Sequence, residues 1–440
     1  MPIDYRAATT HLNETLAGYR NVLAVVTGLT ILQAAMASLA IVVAFNLRDS
    51  GLSNSILGMV AASFAGGFLV GTRTSPKEIS RIGHIRAYVL FATISVIAGL
   101  AFGLGINGVG WAIIQFILGL CCAGLLTAGE SWVSDAAPET QRGSILSFYH
   151  MVSKLGAIAG PFLISGLASG LPGFMIIAAL FAASIIPVTR TNRAQPALST
   201  AEPFGPRRIY KIAPASAIAA FTAGAVNNSI AQLYPIFTAS VSGTSDMGFT
   251  AQFNAALLAG AMIALWPAGL ISDRIDRRYV LSALGFIGGG SAIGLFFAAN
   301  NQAQNATLIW AFLFGAGSLS YYAVAVAHAA DKSKSGQATS MMAGILMIWG
   351  FGSVLGPILA GFAMSSPLGA AGLFIFAAIA LIALGLSMFT RAVWSDAVAE
   401  EDKEPFGVAP ATSLAIAELD PRGDDEQLEL FPLNPEPHPQ

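Results

Sequence analysis

Two stretches at matching places in the chain decide the fold. Residues 156–161 read Gly-Ala-Ile-Ala-Gly-Pro and residues 352–357 read Gly-Ser-Val-Leu-Gly-Pro, 196 residues later. Each lies in a long apolar run, where glycine at every fourth position lets helices approach closely and proline removes one backbone donor. The repeat predicts two similar halves with close helix interfaces, although static packing would use the same residues. The motif residues are Gly156, Gly160, Pro161, Gly352, Gly356 and Pro357.

The apolar runs around these motifs are long enough to cross a membrane. The chain has 440 residues, of which 55% are hydrophobic and 10% are charged, and a water-soluble fold cannot bury that much apolar surface. The runs exceed the roughly ten-residue strands of an outer-membrane barrel, so the spans should be helices. Twelve stretches of about 20 residues or more are found. They are 21–46, 53–74, 86–105, 109–135, 141–168, 171–190, 211–240, 248–271, 278–299, 305–330, 336–364 and 368–391.

The basic residues predict the side on which each loop lies. Lysine and arginine near the ends of a span prefer the cytoplasmic side. If both termini are cytoplasmic, all 22 of them except Arg48 and Lys154 lie in the termini, in inner loops or at inner helix ends. We therefore expect a multi-pass protein of the bacterial inner membrane with both termini in the cytoplasm.

The charge changes sign along the chain. Residues 1–390 carry 19 Lys and Arg against 12 Asp and Glu, whereas residues 391–440 carry 3 against 12. This acidic, proline-containing end favours a disordered tail and disfavours a nucleic-acid surface. The predicted order is a cytoplasmic segment at 1–20, a six-helix bundle at 21–190, a cytoplasmic linker at 191–210, a six-helix bundle at 211–391 and a disordered cytoplasmic tail at 392–440.

Several kinds of chemistry are disfavoured. Cys121 and Cys122 are the two cysteines, and neighbouring positions in an apolar run favour packing over redox or metal chemistry. A membrane enzyme would need a metal cluster or a nucleophile with a base, and five scattered histidines do not supply one. The phosphate-binding pattern Gly-x-x-x-x-Gly-Lys-Ser/Thr does not occur. We expect no cofactor, no metal site and no catalysis.

The loop after the eighth predicted span carries a specific motif. Residues 269–278 read Gly-Leu-Ile-Ser-Asp-Arg-Ile-Asp-Arg-Arg and match Gly-x-x-x-Asp-Arg-x-Gly-Arg-Arg, except that Asp276 replaces a glycine. With this motif, residues 19–391 resemble the major facilitator superfamily. The resemblance implies an all-α membrane protein with twelve transmembrane helices in two pseudo-symmetric six-helix bundles. The glycine–proline motif of the fifth span resembles one that is associated with antiporters.

The first half departs from the family pattern. Gly71 is followed only after four extra residues by Arg81 and Arg86, and Ser80 replaces the acidic residue. Gln115 stands where many members have an arginine linked to proton coupling. Two short motifs, at residues 130–132 and 327–331, resemble the YcaD-like branch of the family.

Charged residues at the inner helix ends predict a gate. Such charges can hold the two bundles together in one state and release them in the other. Alternatively, the arginines anchor a loop to anionic lipid headgroups. The gate candidates are Asp273, Arg274, Arg277, Arg278, Arg81, Arg86, His328 and Asp331.

Lys154 is the sharpest candidate for a substrate or coupling residue. It lies 13 residues into the predicted fifth span, near the bilayer midplane. An unpaired ammonium there costs at least about 2.5 kcal/mol and needs a partner or a wet cavity. A fixed carboxylate partner is the alternative, but the first half has no carboxylate at this depth. An anionic substrate is the simplest partner.

Two further titratable residues extend this site toward the cytoplasm. His150 precedes Lys154 by one helical turn on the same face, and Glu130 matches the depth of His150 on the preceding span. A ladder of these three residues would couple protonation to transport. The alternative is that Glu130 and Trp132 cap an inner gate near Arg142.

Polar and aromatic residues in other spans are candidates for substrate contacts. The seventh span has amides and a tyrosine within two turns, which is too polar for a lipid-facing stripe, and aromatic residues of the tenth and eleventh spans can form a wall. Each aromatic alone is as well explained by packing. The candidates are Gln33, Asn227, Asn228, Gln232, Tyr321, Tyr322 and Trp349, with Tyr234 beside them.

These features predict a secondary active transporter for a small solute, either an organic anion or an amphipathic compound, coupled to protons. We expect a monomer among membrane lipids. Lys154 favours an anion, and both uptake and export stay open. The alternative is a transport-fold receptor that binds a ligand without moving it.

Overall fold

The computed structural model describes residues 5–104, 107–136, 142–166, 170–190, 204–333 and 337–394. Within these ranges all regular elements are helical, which confirms the predicted fold class. The first half contains α1 (Tyr5–Asp49), α2 (Asn54–Ile82), α3 (His84–Ala101), α4 (Gly108–Ala136), α5 (Arg142–Ile164) and α6 (Leu171–Thr189). After the short α7 (Pro206–Ile212), the second half contains α8 (Pro214–Ser242), α9 (Met247–Arg274), α10 (Arg277–Asn300), α11 (Gln304–Ser318), α12 (Tyr321–Asp331), α13 (Ala338–Ser365) and α14 (Gly372–Trp394).

The helices differ from the predicted spans mainly at their ends. Helix α1 begins at Tyr5, and α2 continues to Ile82, eight residues past its predicted end at 74. The apolar count stops where charges begin, whereas backbone hydrogen bonding continues through polar residues. The linker at 191–203 and the tail at 395–440 lie outside the described residues.

The tenth predicted span is two helices. Helix α11 ends at Ser318 and α12 begins at Tyr321. A Cβ at Gly315 would overlap the backbone of α9, and one at Gly317 would overlap that of α10. The helix is therefore pressed against two neighbours just before it breaks.

Ten membrane-spanning helices are identified by length and composition among the described residues. The break between α11 and α12 is counted within one span. Helices α5 and α8, with 23 and 29 residues, are the long helices outside this set. They carry Lys154 on α5 and Asn227, Asn228 and Gln232 on α8, so the candidate site itself lowers their hydropathy. The count of twelve spans stays a prediction.

The long helices form two bundles. In the first, α1 packs on α5 and α6, and α4 packs on α2 and α3. In the second, α8 packs on α13, α10 on α14, and α11 on α9 and α10. The bundles meet along three helix pairs, α2 with α13, α1 with α8, and α5 with α9.

Side-chain hydrogen bonds join the bundles at the end that carries residues 50–53, 243–246 and 366–368, the short-loop end. Arg48 Nη1 donates to Ser245 Oγ at 3.0 Å, and Asn54 Nδ2 donates to the Met364 carbonyl at 2.9 Å. The opposite end, which carries residues 190 and 204–205, is called the linker end.

Candidate functional site

Lys154 lies on the stripe of α5 that faces α9. Ala157, one helical turn away, accepts a hydrogen bond at 3.0 Å from Asn254 Nδ2 of α9 through its carbonyl. The Lys154 side chain is exposed, yet its ammonium lies deep among protein atoms. A side chain with both properties lines an internal cavity. Among the described residues Lys154 makes no salt bridge and no hydrogen bond.

Glu130 is buried on α4, but its printed partner on α5 is not His150. Tyr149 Oη donates a hydrogen bond of 2.7 Å to Glu130 Oε1, and both residues are at most 1% exposed. The proposed ladder therefore needs correction at its first step, because α5 turns Tyr149 rather than His150 toward α4. Depth along a helix follows from sequence, whereas the direction of each side chain depends on helix rotation.

His150 still belongs to the Lys154 stripe. Its Nε2 atom is buried and has no hydrogen-bond partner, and the ring packs on Tyr149 with centroids 4.7 Å apart. The Lys154 charge is close enough to act on the ring. The structure thus brings His150 and Lys154 together and places Glu130 one residue away, behind Tyr149.

The two asparagines of α8 bind other helices of their own bundle. Asn227 Oδ1 accepts from Ser318 Oγ of α11 at 2.8 Å, and Asn228 Nδ2 donates to the Ser353 carbonyl of α13 at 2.9 Å. At least one polar atom of each amide therefore serves packing. Sequence shows that such residues are polar but not where they point.

The predicted aromatic wall is only partly assembled. Tyr322 and Trp349 have ring centroids 6.5 Å apart, and Phe68 of α2 lies 6.5 Å from Trp349. Tyr321 is fully buried, with no hydrogen-bond partner for its hydroxyl. Sequence reasoning missed Phe68, which looks like any apolar residue of a span but here bridges the two bundles.

A small cavity between the bundles reveals another residue that was not counted among the site candidates. Gln115 of α4 and Gln232 of α8 both line it, among apolar side chains of α1, α2 and α8. Gln115 is 1% exposed, and its Oε1 has no hydrogen-bond partner. The replacement of the family's arginine at this position was the available signal. Gln33 is half-buried on α1 and makes no side-chain hydrogen bond among the described residues.

The predicted gate residues of the second bundle form a charge cluster. Arg277 is 1% exposed and binds Asp331 through two bonds, Nε to Oδ2 at 2.7 Å and Nη2 to Oδ1 at 3.2 Å. Its Nη1 donates to Ser272 Oγ at 2.9 Å and to Asp273 Oδ1 at 3.1 Å. Arg277 therefore ties α9, α10 and α12 together at the linker end.

Asp276, the departure from the family motif, binds the next arginine. Its carboxylate caps α10 by accepting from the Arg278 backbone N–H at 2.9 Å and pairs with Arg278 Nη2 at 2.6 Å. Arg278 Nη1 donates to the Arg391 carbonyl of α14 at 2.7 Å. Burial raises the pKa of Asp276, but the bonds and charge of Arg278 outweigh it and leave the pKa below its usual value.

The other gate candidates are less engaged. Arg274 and Arg86 are exposed, and Arg81 pairs with Glu78 on its own helix at 2.7 Å, with 73% of the Arg81 side chain exposed. His328 is buried near the cluster and feels the charge of Asp276. The printed ion pairs of the gate candidates thus stay within one bundle.

The glycine–proline motifs lie inside each bundle rather than between the bundles. A Cβ at Gly156 or Gly160 would overlap the backbone of α1 at Thr30 or Ala34. At Gly352 or Gly356 it would overlap the backbone of α8. Each motif therefore permits one close helix pair, α1 with α5 and α8 with α13.

Known structures with the same architecture are transporters. The nucleoside transporter NupG has a TM-score of 0.68 at 14% identity, covering 85% of this chain and 99% of its own. A D-xylose-proton symporter has a TM-score of 0.66 at 13% identity, covering 87% and 99%. At these identities the likeness shows the fold.

Sequence comparison gives the family. An uncharacterized MFS-type transporter of Enterobacter sp. (strain 638) is 29% identical over 341 residues, 77% of this chain and 87% of that protein. The uncharacterized MFS-type transporter YcaD of Escherichia fergusonii is 27% identical over 342 residues, again 77% and 87%. The model of the Major Facilitator Superfamily matches residues 23–300 and 248–422. The chain therefore belongs to the Major Facilitator Superfamily and is similar to its YcaD-type members.

Proposed function

We propose that this transporter moves a small organic anion or amphipathic compound across the bacterial inner membrane by alternating access, driven by protons. It acts as a monomer with both termini in the cytoplasm. Transport, and not catalysis, is the activity that we assign to the site around Lys154.

The unpaired Lys154 ammonium is the observation that carries this proposal. An ammonium inside a membrane protein is stable only with a partner or in a wet cavity. Its side chain is accessible and has no salt bridge among the described residues. A substrate carboxylate supplies the missing partner and forms a charge-assisted hydrogen bond.

Glu130 and His150 are the protonatable groups that we assign to coupling. Both belong to the interior that surrounds Lys154, and Glu130 is joined to the Lys154 helix through Tyr149. A proton on either group changes the charge beside the substrate. That change alters the relative stability of the two access states, which is what coupling requires.

Reconstituted vesicles test the proposal. A thermal-shift screen of the purified protein against organic anions first identifies a ligand, because binding to the folded state raises apparent stability. Vesicles with an imposed proton gradient should then accumulate this ligand. Binding without accumulation would instead support the receptor alternative.

Lys154 variants give the sharpest comparison in that assay. Lys154→Ala should abolish accumulation while the protein still folds and inserts, and Lys154→Arg should keep ligand binding because the positive charge remains. Lys77→Ala is the control, since Lys77 is exposed on α2. Normal accumulation by the Lys154→Ala variant would remove Lys154 from the mechanism.

A further inference from the structure

The interface between the bundles has two flanks, and the α2–α13 flank is closed over most of its length. Near the short-loop end, Asn54 binds the Met364 carbonyl, and Gly58 packs against the backbone of Gly361. Toward the linker end, Leu69 covers Gly350. Small residues let these helices touch, so this flank offers no path to the interior.

The α5–α9 flank is closed only in part, since these helices pack over a shorter stretch than α2 and α13. They are joined by the Asn254–Ala157 hydrogen bond in the half nearer the short-loop end. Leu258, Ala261 and Leu265 continue the Asn254 stripe of α9 toward the linker end at helical spacing. All three are half-exposed, so α5 does not cover them.

Lys154 and Met151 line the α5 side of this opening. Lys154 lies one helical turn from Ala157, toward the linker end, and Met151 follows one turn later with 49% of its surface exposed. We name the space between Met151 and Lys154 of α5 and Leu258, Ala261 and Leu265 of α9 the α5–α9 gap. Its walls are apolar except for one ammonium.

We propose that the α5–α9 gap admits a single-chain amphipathic carboxylate from the bilayer, with its carboxylate bound to Lys154 and its alkyl chain along α9. This rests on the proposed transport of an anion and names the substrate class and its route. The apolar wall matches an alkyl chain, and the Lys154 ammonium, which has no ion pair among the described residues, matches one carboxylate. A short hydrophilic anion would leave the wall unused.

Binding of cis-parinaric acid, a fluorescent long-chain fatty acid, tests the proposal. The protein is placed in nanodiscs of phosphatidylcholine, and energy transfer from tryptophan to the probe is measured. Trp266, 73% exposed on α9, is a suitable donor. We expect saturable binding that Lys154→Ala weakens at least about tenfold, the size of one charge-assisted hydrogen bond, and that Lys154→Arg largely retains. The methyl ester of the probe should bind as weakly to the native protein as the acid binds to Lys154→Ala.

A second pair of variants tests the route. Ala261→Trp fills the gap and should reduce probe binding, whereas Ile263→Trp adds the same side chain to α9 at a residue that is 64% exposed and lies off the Asn254 stripe. Equal effects of the two variants would overturn the lateral route. Equal binding of acid and ester, or displacement of the probe by phosphatidylglycerol as efficiently as by oleate, would overturn the substrate class.

Failure of this inference is separable from failure of the proposed function. If a short-chain carboxylate such as butyrate binds in a Lys154-dependent way and Ala261→Trp has no effect, the anion site stands and the lateral route falls. If no carboxylate binding depends on Lys154, both fall.

Discussion

Breaking the buried pair between Arg277 and Asp331 should destabilise the second bundle, and the structure sets the size of the effect. Both side chains are 1% exposed and are joined by two hydrogen bonds, so removing one partner leaves a charge in a dry site. Loss of one partner of a buried pair typically costs about 3–5 kcal/mol. In Asp331→Ala, Arg277 keeps Ser272 and Asp273, so we expect about 3 kcal/mol, the lower end of that range. In Arg277→Met, Asp331 loses its arginine, and the cost should lie near about 4–5 kcal/mol.

The double variant separates pairing from packing. Arg277→Met with Asp331→Leu removes both charges, and apolar replacement of a buried pair is often close to neutral. The two substitutions should therefore be strongly non-additive, with a coupling energy of at least about 2 kcal/mol. Arg81→Met is the matched control, because its ion pair with Glu78 is largely exposed and should contribute at most about 1 kcal/mol.

A thiol-reactive dye supplies the assay. Cys121 and Cys122 are at most 1% exposed, so the dye reports their exposure as the detergent-purified protein unfolds on heating. At about 2 °C per kcal/mol, the scale for larger domains, each single charge variant should lower the midpoint by about 6–10 °C. The reasoning is refuted if the single variants behave like the Arg81 control or if the double variant shows the sum of both losses.

Three further outcomes are expected. Gly356→Leu should sharply lower the thermal midpoint, because a side chain there would meet the backbone of Ala225, whereas Gly205→Leu should not, since nothing lies within 4 Å of a Cβ at Gly205. Asp276 has a lowered pKa, so its pairing is present above the unfolded value of about 3.9 and is lost as pH falls through its lower folded pKa. Acidification from pH 7 to about 3 should then lower the midpoint of the native protein more than that of Asp276→Asn, which retains a helix cap. Deletion of residues 400–440 should leave ligand accumulation in vesicles intact, and complete loss would contradict a passive tail.

The fold could be predicted because its signals are local. Long apolar runs, the Gly156 and Gly352 motifs and the Asp273–Arg278 loop each report on the chain around them. Helix packing in the structure then explains the glycines, since a Cβ at either would meet the backbone of a neighbouring helix. The same local signals placed Lys154 in the interior.

The contacts of the candidate site could not be predicted, because they depend on helix rotation. Glu130 and His150 lie at similar depth, yet a rotation of one residue gives Glu130 the Tyr149 hydroxyl instead. Asn227 is polar in any sequence reading, but only the packing of α11 shows that Ser318 binds it. Depth follows from counting residues, whereas partner choice follows from the azimuth of two helices.

The strengths of the contacts at the two ends fit a molecule whose bundles move as units. At the linker end, Arg277 and Arg278 bind partners of their own bundle through charged, buried hydrogen bonds. At the short-loop end, the ties between bundles are the bonds from Arg48 to a serine hydroxyl and from Asn54 to a carbonyl. A bond to a neutral partner contributes roughly 0.5–1.5 kcal/mol net, so a few of them hold the end with an energy that substrate or proton binding can offset. Strong pairing within a bundle and weak pairing between bundles is the distribution that alternating access requires, since the first keeps each bundle rigid while the second breaks and reforms in every cycle.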